Sequence, residues 1–373
     1  MIIRLLFTAL FTIALSAQAF DFRSEPIRAH MKFLASDLLE GRGAGTRGYD
    51  IAANYVAAQF EAAGVAPGAG GSYFQVIPFR KTIPDDRSTV TITPDGRPSM
   101  LLRYGDGFAT AGDPLHPDRT VEGRVTVVGV VRGSDPKLRD EYLVYSSHLD
   151  HVGITEPVNG DAINNGAFDN ASGIAALIEI AKAMASQKPA PRRSVLFLAT
   201  TAEEKGLRGA DYFASNPTVP RTQLVGNINI DQVMMIDAVS DVIVHGIDAS
   251  TLGDVARRVA AKHSIGISDD PFPEEVVFVR SDQYPFVKRG IPALYIDPGY
   301  KAVAPGVDAK QNQMAWIKSR YHTPSDDLGQ KMDFSVPAAL ARFDFLIGLE
   351  VANADARPAW KPGNFFGERF GRR

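Results

Sequence analysis

The 373-residue chain contains no cysteine. Disulfides, thiolate metal ligands and an acylated N-terminal cysteine are therefore excluded. Net charge is scarce as well: 40 basic side chains nearly balance 43 acidic ones, leaving −3. That gives no reason to expect nucleic acid or an anionic membrane surface as a partner. The apolar run from Leu5 to Leu15 is too short to span a bilayer as a mature helix. With Arg4 before it and Ala17-Gln18-Ala19 after it, the run reads as an export signal. Residues 1–19 are thus expected to be removed and the mature chain to start near Phe20, the alternative being an uncleaved anchor. A periplasmic or secreted bacterial protein is expected, with no membrane contact after signal cleavage. Without cysteine, such a chain depends on its core and on metal for its stability.

What is present is an ordinary globular composition, 45% hydrophobic and 22% charged. The length suits one α/β domain with an insertion, here taken as 20–373 with a small β-rich insertion at about 80–130. Helices are expected over Pro26–Leu39 and Tyr49–Ala63. Between them, Glu40 to Gly48 carries GxGxxG-like glycines, but no strand precedes it, so a flexible turn capping the next helix is favoured over a phosphate cradle. From residue 141 the pattern alternates. Glu141–Tyr145, Arg193–Thr200, Asn227–Asp231, Asp241–His245 and Pro292–Ile296 read as strands. Helices are expected at about 170–186, 249–263 and 336–352, the first with Ile174, Leu177, Ile178 and Ala181 at helical spacing. Continuous apolar strands between helices predict a mostly parallel sheet covered on both faces. The basic, aromatic tail 360–373 is expected to be a docked or mobile terminus.

Ligands of open α/β sheets gather at the carboxyl ends of the strands. The metal-capable residues there are His148 and Asp150 in SSHLDHVG, Asp169 in GAFDNASG, Glu203 and Glu204 after RSVLFLAT, Asp231 ending NINID, and His322 in YHTPSDD. Each has a bland alternative: a helix N-cap for Asp169, a solvated face for the glutamates, a satisfied polar residue for each histidine. Together they argue otherwise. Five acidic groups converging on one crevice are costly unless cations compensate them, and no Lys or Arg run is placed to do so. Imidazole and carboxylate are the usual non-thiolate zinc ligands, and a carboxylate can bridge two ions. Adjacent glutamates point in different directions, so one of Glu203 and Glu204 can ligate while the other serves as base. At strand period His148 and Asp150 share a face and His151 points away, which predicts a structural or rim role for His151.

In this order, HLDH, GAFDNASG, TAEEKGLRG, NINID and YHTPSDD resemble the co-catalytic zinc aminopeptidases, the group of aminopeptidase Y, bacterial leucyl aminopeptidase and glutamate carboxypeptidase II. The resemblance covers about residues 25–350. It implies a three-layer α/β/α sandwich around a mostly parallel mixed sheet, of the zinc-exopeptidase (phosphorylase/hydrolase-like) type. It implies two zinc ions, one on His148, Asp169 and Asp231, the other on Asp169, Glu204 and His322, with Asp169 bridging. Glu203 would be the general base and acid acting on a metal-bridging water. Asp150 would orient His148 by accepting its other ring N–H. The substrate would be a peptide with a free N-terminus.

The chain departs from the family pattern at several points. Phe278 stands where the family often has an oxyanion-steadying tyrosine, and Ser281-Asp282-Gln283 replaces Ser-Asp-His. The stretch before HLDH is too short for a whole protease-associated domain. Three outcomes are weighed: an aminopeptidase, a carboxypeptidase or single-zinc glutaminyl-cyclase-like enzyme on the same scaffold, and a non-catalytic binding domain. Keeping His148 and Asp231 argues against the cyclase, and having every ligand plus Glu203 argues against the binding domain. A carboxypeptidase needs a cation for the substrate carboxylate, for which Arg280 is a weak candidate.

Overall fold

The computed structural model describes residues 20–81, 89–103, 107–108 and 119–371. The expected signal peptide, 1–19, lies outside the described residues. The chain opens with α1 (Ser24–Leu34) and α2 (Arg47–Ala62). Thr46 accepts the Tyr49 N–H and so caps α2. Strands β1 (Ala66–Pro67) and β2 (Phe74–Lys81) follow, then the hairpin β3 (Thr89–Ile92) and β4 (Met100–Arg103), then β5 (Arg119–Val131). The α/β part runs β6 (Tyr142–His148), β7 (Gly153–Val158), β8 (Asp161–Asn164), α3 (Ser172–Ser186), β9 (Ser194–Thr200), α4 (Arg208–Ser215), β10 (Leu224–Asn229) and β11 (Asp241–His245). It continues with α5 (Thr251–Lys262), β12 (Gly266–Ser268), α6 (Gln283–Val287), β13 (Ala293–Pro298), α7 (Ala309–Ser319), α8 (Ser335–Asn353) and α9 (Phe365–Phe370).

Among the described residues one nine-stranded sheet has the order β1-β5-β9-β6-β10-β13-β11-β12, with β2 pairing β5. The centre, β9-β6-β10-β13, is parallel. Antiparallel pairings flank it, β5 with β9 and β11 with β13. This is the expected mixed sheet, with its parallel strands gathered where the crossover helices cover both faces. Within the expected insertion, β3 and β4 make a separate two-stranded sheet, whereas β5 joins the main one.

Every residue of β6, β9 and β10 is buried. Their side chains alternate between two cores, as the two-residue period of a strand requires. Leu143, Tyr145, Val195, Phe197 and Ala199 face the larger core with α1, α2, α3, α5 and α8. Tyr142, Val144, Leu196 and Leu198 face the smaller one with α4 and α6. Helix α3 is buried nearly all round because it lies between the sheet and α1 and α8. The described part of the tail is docked: Trp360 Nε1 donates to the Gly290 carbonyl at 3.1 Å.

Parallel register fixes where the site falls. Thr200 lies beside His148, and Asn229 lies beside Ser146. The residues at or just past the ends of β9, β6 and β10 therefore meet at one rim: Glu203 and Glu204, His148, and Asp231.

Candidate metal centre

At that rim two groups of potential metal donors share Asp169. One is His148, Asp169 and Asp231. The other is His151, Asp169, Glu204 and His322. Asp169 offers one oxygen to each side: Oδ1 is 3.3 Å from His148 Nε2, and Oδ2 is 3.1 Å from His322 Nε2. His148 Nε2 is also 2.9 Å from Asp231 Oδ1, and His322 Nε2 is 3.2 Å from Glu204 Oε2.

Local backbone turns aim these groups. Ala202, Gln232 and His322 adopt left-handed conformations, next to Glu203, next to Asp231 and at the ligand candidate itself. Such conformations cost non-glycine residues energy and concentrate at functional sites. Asp169 is held by Asp326, whose two carboxylate oxygens accept the main-chain N–H groups of Phe168 and Asp169 at 2.9 and 3.0 Å. Asn170 ties the loop to its neighbours, donating to Ser147 Oγ and accepting the Gly173 and Gln232 N–H groups.

Three sequence expectations change here. His151 does not point away. Strand β6 ends at His148, so the two-residue period no longer applies at 151. The segment after β6 bridges Gly43 at His151, buries the ring and puts Nδ1 2.8 Å from Glu204 Oε1 and 3.8 Å from Asp169 Oδ2. The carboxylate of Asp150 does not take the His148 ring N–H. His148 Nδ1 is 3.0 Å from the Asp150 main-chain oxygen and 4.0 Å from its carboxylate. That carboxylate instead accepts the Glu203 N–H at 3.1 Å, and so positions the turn carrying both glutamates. The glycine-rich loop 40–48 caps α2 as expected but is not a free turn. Arg42 within it is buried beneath the centre and spends its N–H groups on the main-chain carbonyls of Leu34, Leu149, Asn165 and Gly166. Gly41, with φ +66°, makes that close approach possible, since a Cβ there would sit 2.5 Å from the Asn164 oxygen.

The electrostatics follow from burial and pairing. Burial pushes the Arg42 guanidinium down to about 10, against Asp326 and Asp169, which leaves it charged at neutral pH. Burial opposes the charging of His148 and His322, but their carboxylate neighbours prevail and hold both above the ordinary histidine range, His322 at about 10. Asp169 goes the other way, well below the usual range, because its histidines outweigh its burial. Burial lifts the Glu203 carboxyl well up, with Asp231 and Asp282 adding to the effect against His148. Burial likewise lifts Asp150 to about 7.

The donor chemistry fits divalent cations. Imidazole and carboxylate groups converge, all three of the first set buried and the second set reaching the surface at His322, and one carboxylate faces both sets. His148, Asp169, Glu203 and Asp231 line a cavity of about 360 Å³. Phe272, Val277, Met314, Ile317 and Tyr321 supply its less polar wall, with Arg280 and Lys318 alongside. Tyr321 had no assigned role in the sequence reading. Its ring stacks on His322 at 3.8 Å while staying 39% exposed, and partial burial with four surrounding carboxylates keeps its phenol protonated. Its place directly before the histidine ligand candidate was the available signal. Phe278 lines a different cavity, under β11 and α5, and packs on Phe366. Arg280 is occupied by Glu275, Nη1 to Oε2 at 2.6 Å.

A family model described as peptidase family M28 matches residues 126–343, more than half of the chain. The chain belongs to peptidase family M28. The kinship read from the five motifs is therefore met. Among curated relatives, a probable zinc metalloprotease of Pyrenophora tritici-repentis is 27% identical over 265 residues, covering 62% of this chain and 58% of that one. Leupeptin-inactivating enzyme 1 of Streptomyces exfoliatus is 34% identical over 102 residues, 27% of this chain and 20% of that one. The chain spans about half the length of the curated relatives it matches. In fold it is similar to an aminopeptidase from Aneurinibacillus sp. strain AM-1, with TM-score 0.61, 17% identity, and 93% and 96% of the two chains covered. It is similarly close to BSAP, a zinc aminopeptidase from Bacillus subtilis, with TM-score 0.61, 16% identity, and 89% and 96% covered. Among the described residues no helix is long and apolar enough to cross a membrane.

Proposed function

We propose that this M28 member is an exported two-zinc aminopeptidase that removes N-terminal residues from peptides. The observation that carries the reading is Asp169, whose two oxygens face His148 on one side and His322 on the other. His148, Asp169 and Asp231 would hold one ion, and Asp169, Glu204 and His322 the second. Bound zinc would supply a water with a pKa of about 7 and polarise the scissile carbonyl. Glu203, lifted by burial and lining the cavity, would take the proton of that water and return it to the leaving amine. The Tyr321 hydroxyl would donate a hydrogen bond to the carbonyl oxygen as charge develops there, a role Phe278 cannot fill.

The carboxylates of Asp169, Glu203 and Asp231 favour a substrate with a free α-amine in this cavity. Arg280, already paired with Glu275, is poorly placed to receive a substrate carboxylate. Phe272, Val277, Met314 and Ile317 favour an apolar N-terminal side chain. A panel of amino-acyl anilides with and without N-acetylation, with metal content measured in parallel, tests the reading. Cleavage confined to free-amine substrates by zinc-loaded protein is expected. Absence of zinc, or preference for the acetylated series, would sink it.

A further inference from the structure

The two metal positions are not equivalent. The first set of donors, His148, Asp169 and Asp231, lines the 360 Å³ cavity. In the second set, Glu204, His322 and His151 do not. His151 accounts for a further difference. Its ring is fully buried and lies against Gly166, where an added Cβ would come within 2.7 Å of the ring carbons. Its Nε2 has no hydrogen-bond partner. Of its two ring nitrogens only Nδ1 is engaged, and it is aimed at the two carboxylates of the second set. His151 Nδ1 lies 2.8 Å from Glu204 and 3.8 Å from Asp169, much as His148 Nε2 lies 2.9 Å from Asp231 and 3.3 Å from Asp169. Four histidine–carboxylate contacts within the second set run from 2.8 to 3.8 Å, and one donor atom from each of its four residues lies within 4.8 Å of the others. Four donors around a tetrahedral zinc stand roughly 3.3–3.5 Å apart, given bonds of about 2.0–2.2 Å.

We infer that His151 is the fourth side-chain ligand of the second position, which makes that position closed, while the ion on His148, Asp169 and Asp231 alone keeps an open coordination site toward the substrate. The inference rests on the two-metal reading above. Closed positions with four protein ligands are the structural kind, and positions with three ligands are the catalytic kind. The second ion would then hold Asp169 and Glu204 in place without touching the substrate.

Cobalt(II)-loaded protein tests this. Each coordinated imidazole gives one strongly contact-shifted N–H resonance in the proton NMR spectrum. The His151 Nε2–H, being buried, should exchange slowly enough to be seen. The wild-type spectrum is expected to contain such a resonance that is lost in both His151→Ala and His151→Gln. In both variants one of the two metal equivalents should bind at least about 100-fold more weakly by chelator competition. If His151 only donates a hydrogen bond to Glu204, no shifted resonance is lost, and His151→Gln, whose amide can donate the same bond, keeps the wild-type affinity. That result overturns the inference and leaves the two-metal reading standing. A wild-type protein that binds neither cobalt nor zinc overturns the reading on which the inference rests. If neither variant folds, the wild-type spectrum decides by count: three contact-shifted imidazole N–H resonances, for His148, His151 and His322, support the inference, and two overturn it.

Discussion

Two buried aspartates in this molecule behave in opposite ways. Asp169 is 3% exposed at the crevice and Asp344 is 0% exposed in α8. Around Asp169, histidines outweigh burial and the carboxyl stays ionised far below its usual range. Around Asp344, burial acts with nothing to oppose it, and both oxygens lack hydrogen-bond partners. Its carboxyl is driven well above the usual carboxylate range, by burial first and by Asp297 in addition. Burial alone therefore says little about an acid's role. A carboxylate that remains charged in a low-dielectric site is one that the fold has arranged to meet cations.

The comparison breaks most visibly at Asp169. Asp169→Asn keeps the shape but removes the charge shared by both metal sets. We expect zinc to fall from about two ions per chain to one or none, and kcat/KM to fall by roughly 10³-fold or more. Elemental analysis and anilide kinetics check this, and a variant retaining both ions would refute the shared role. Next comes Glu203, an acid lifted by burial yet beside the same cations. Glu203→Gln should lose about 10²–10⁴-fold in kcat while zinc stays bound. Equal activity with unchanged metal would remove Glu203 from the proton path. Tyr321→Phe should cost about 10²-fold in kcat with KM and zinc little altered. A change confined to KM would make Tyr321 a binding residue only.

How much of this could be read from the sequence depends on which interaction sets each residue. The strand ends were legible because RSVLFLAT and NINID are continuous apolar runs, and a buried parallel strand has little choice of register. That was enough to bring His148, Glu203, Glu204 and Asp231 to one rim. His151 was misread because a period-two rule was carried past His148, where β6 ends and the chain leaves the strand before His151 forms a single bridge with Gly43. Asp326 and Arg42 stayed hidden for a different reason. Both act on main-chain groups of loops more than 100 residues distant in sequence, and no local pattern encodes such contacts. Tyr321 was legible in position but not in role, since only its stacking on His322 brings it to the cavity wall.

The smallest effect tests the other side of the comparison. Asp344 has a folded-state pKa raised above the unfolded value of about 4. Between the two values the folded state therefore binds more protons than the unfolded state, and stability is lost as the pH rises from about 4 through the folded-state value. Asp344→Asn has a similar shape and cannot ionise. Near pH 4 variant and wild type should differ little. As the pH is raised to 8, the variant should gain on wild type by about 1.4 kcal/mol for each pH unit between the unfolded and folded pKa values of Asp344. Because only the difference between the two proteins is read, titrations elsewhere in the crevice cancel. Denaturant unfolding of both proteins across this range, at fixed zinc, measures the gap. A gap that stays constant with pH would mean that Asp344 is not protonated in the fold. The contrast with Asp169 would then have to rest on an unseen partner for Asp344 rather than on burial.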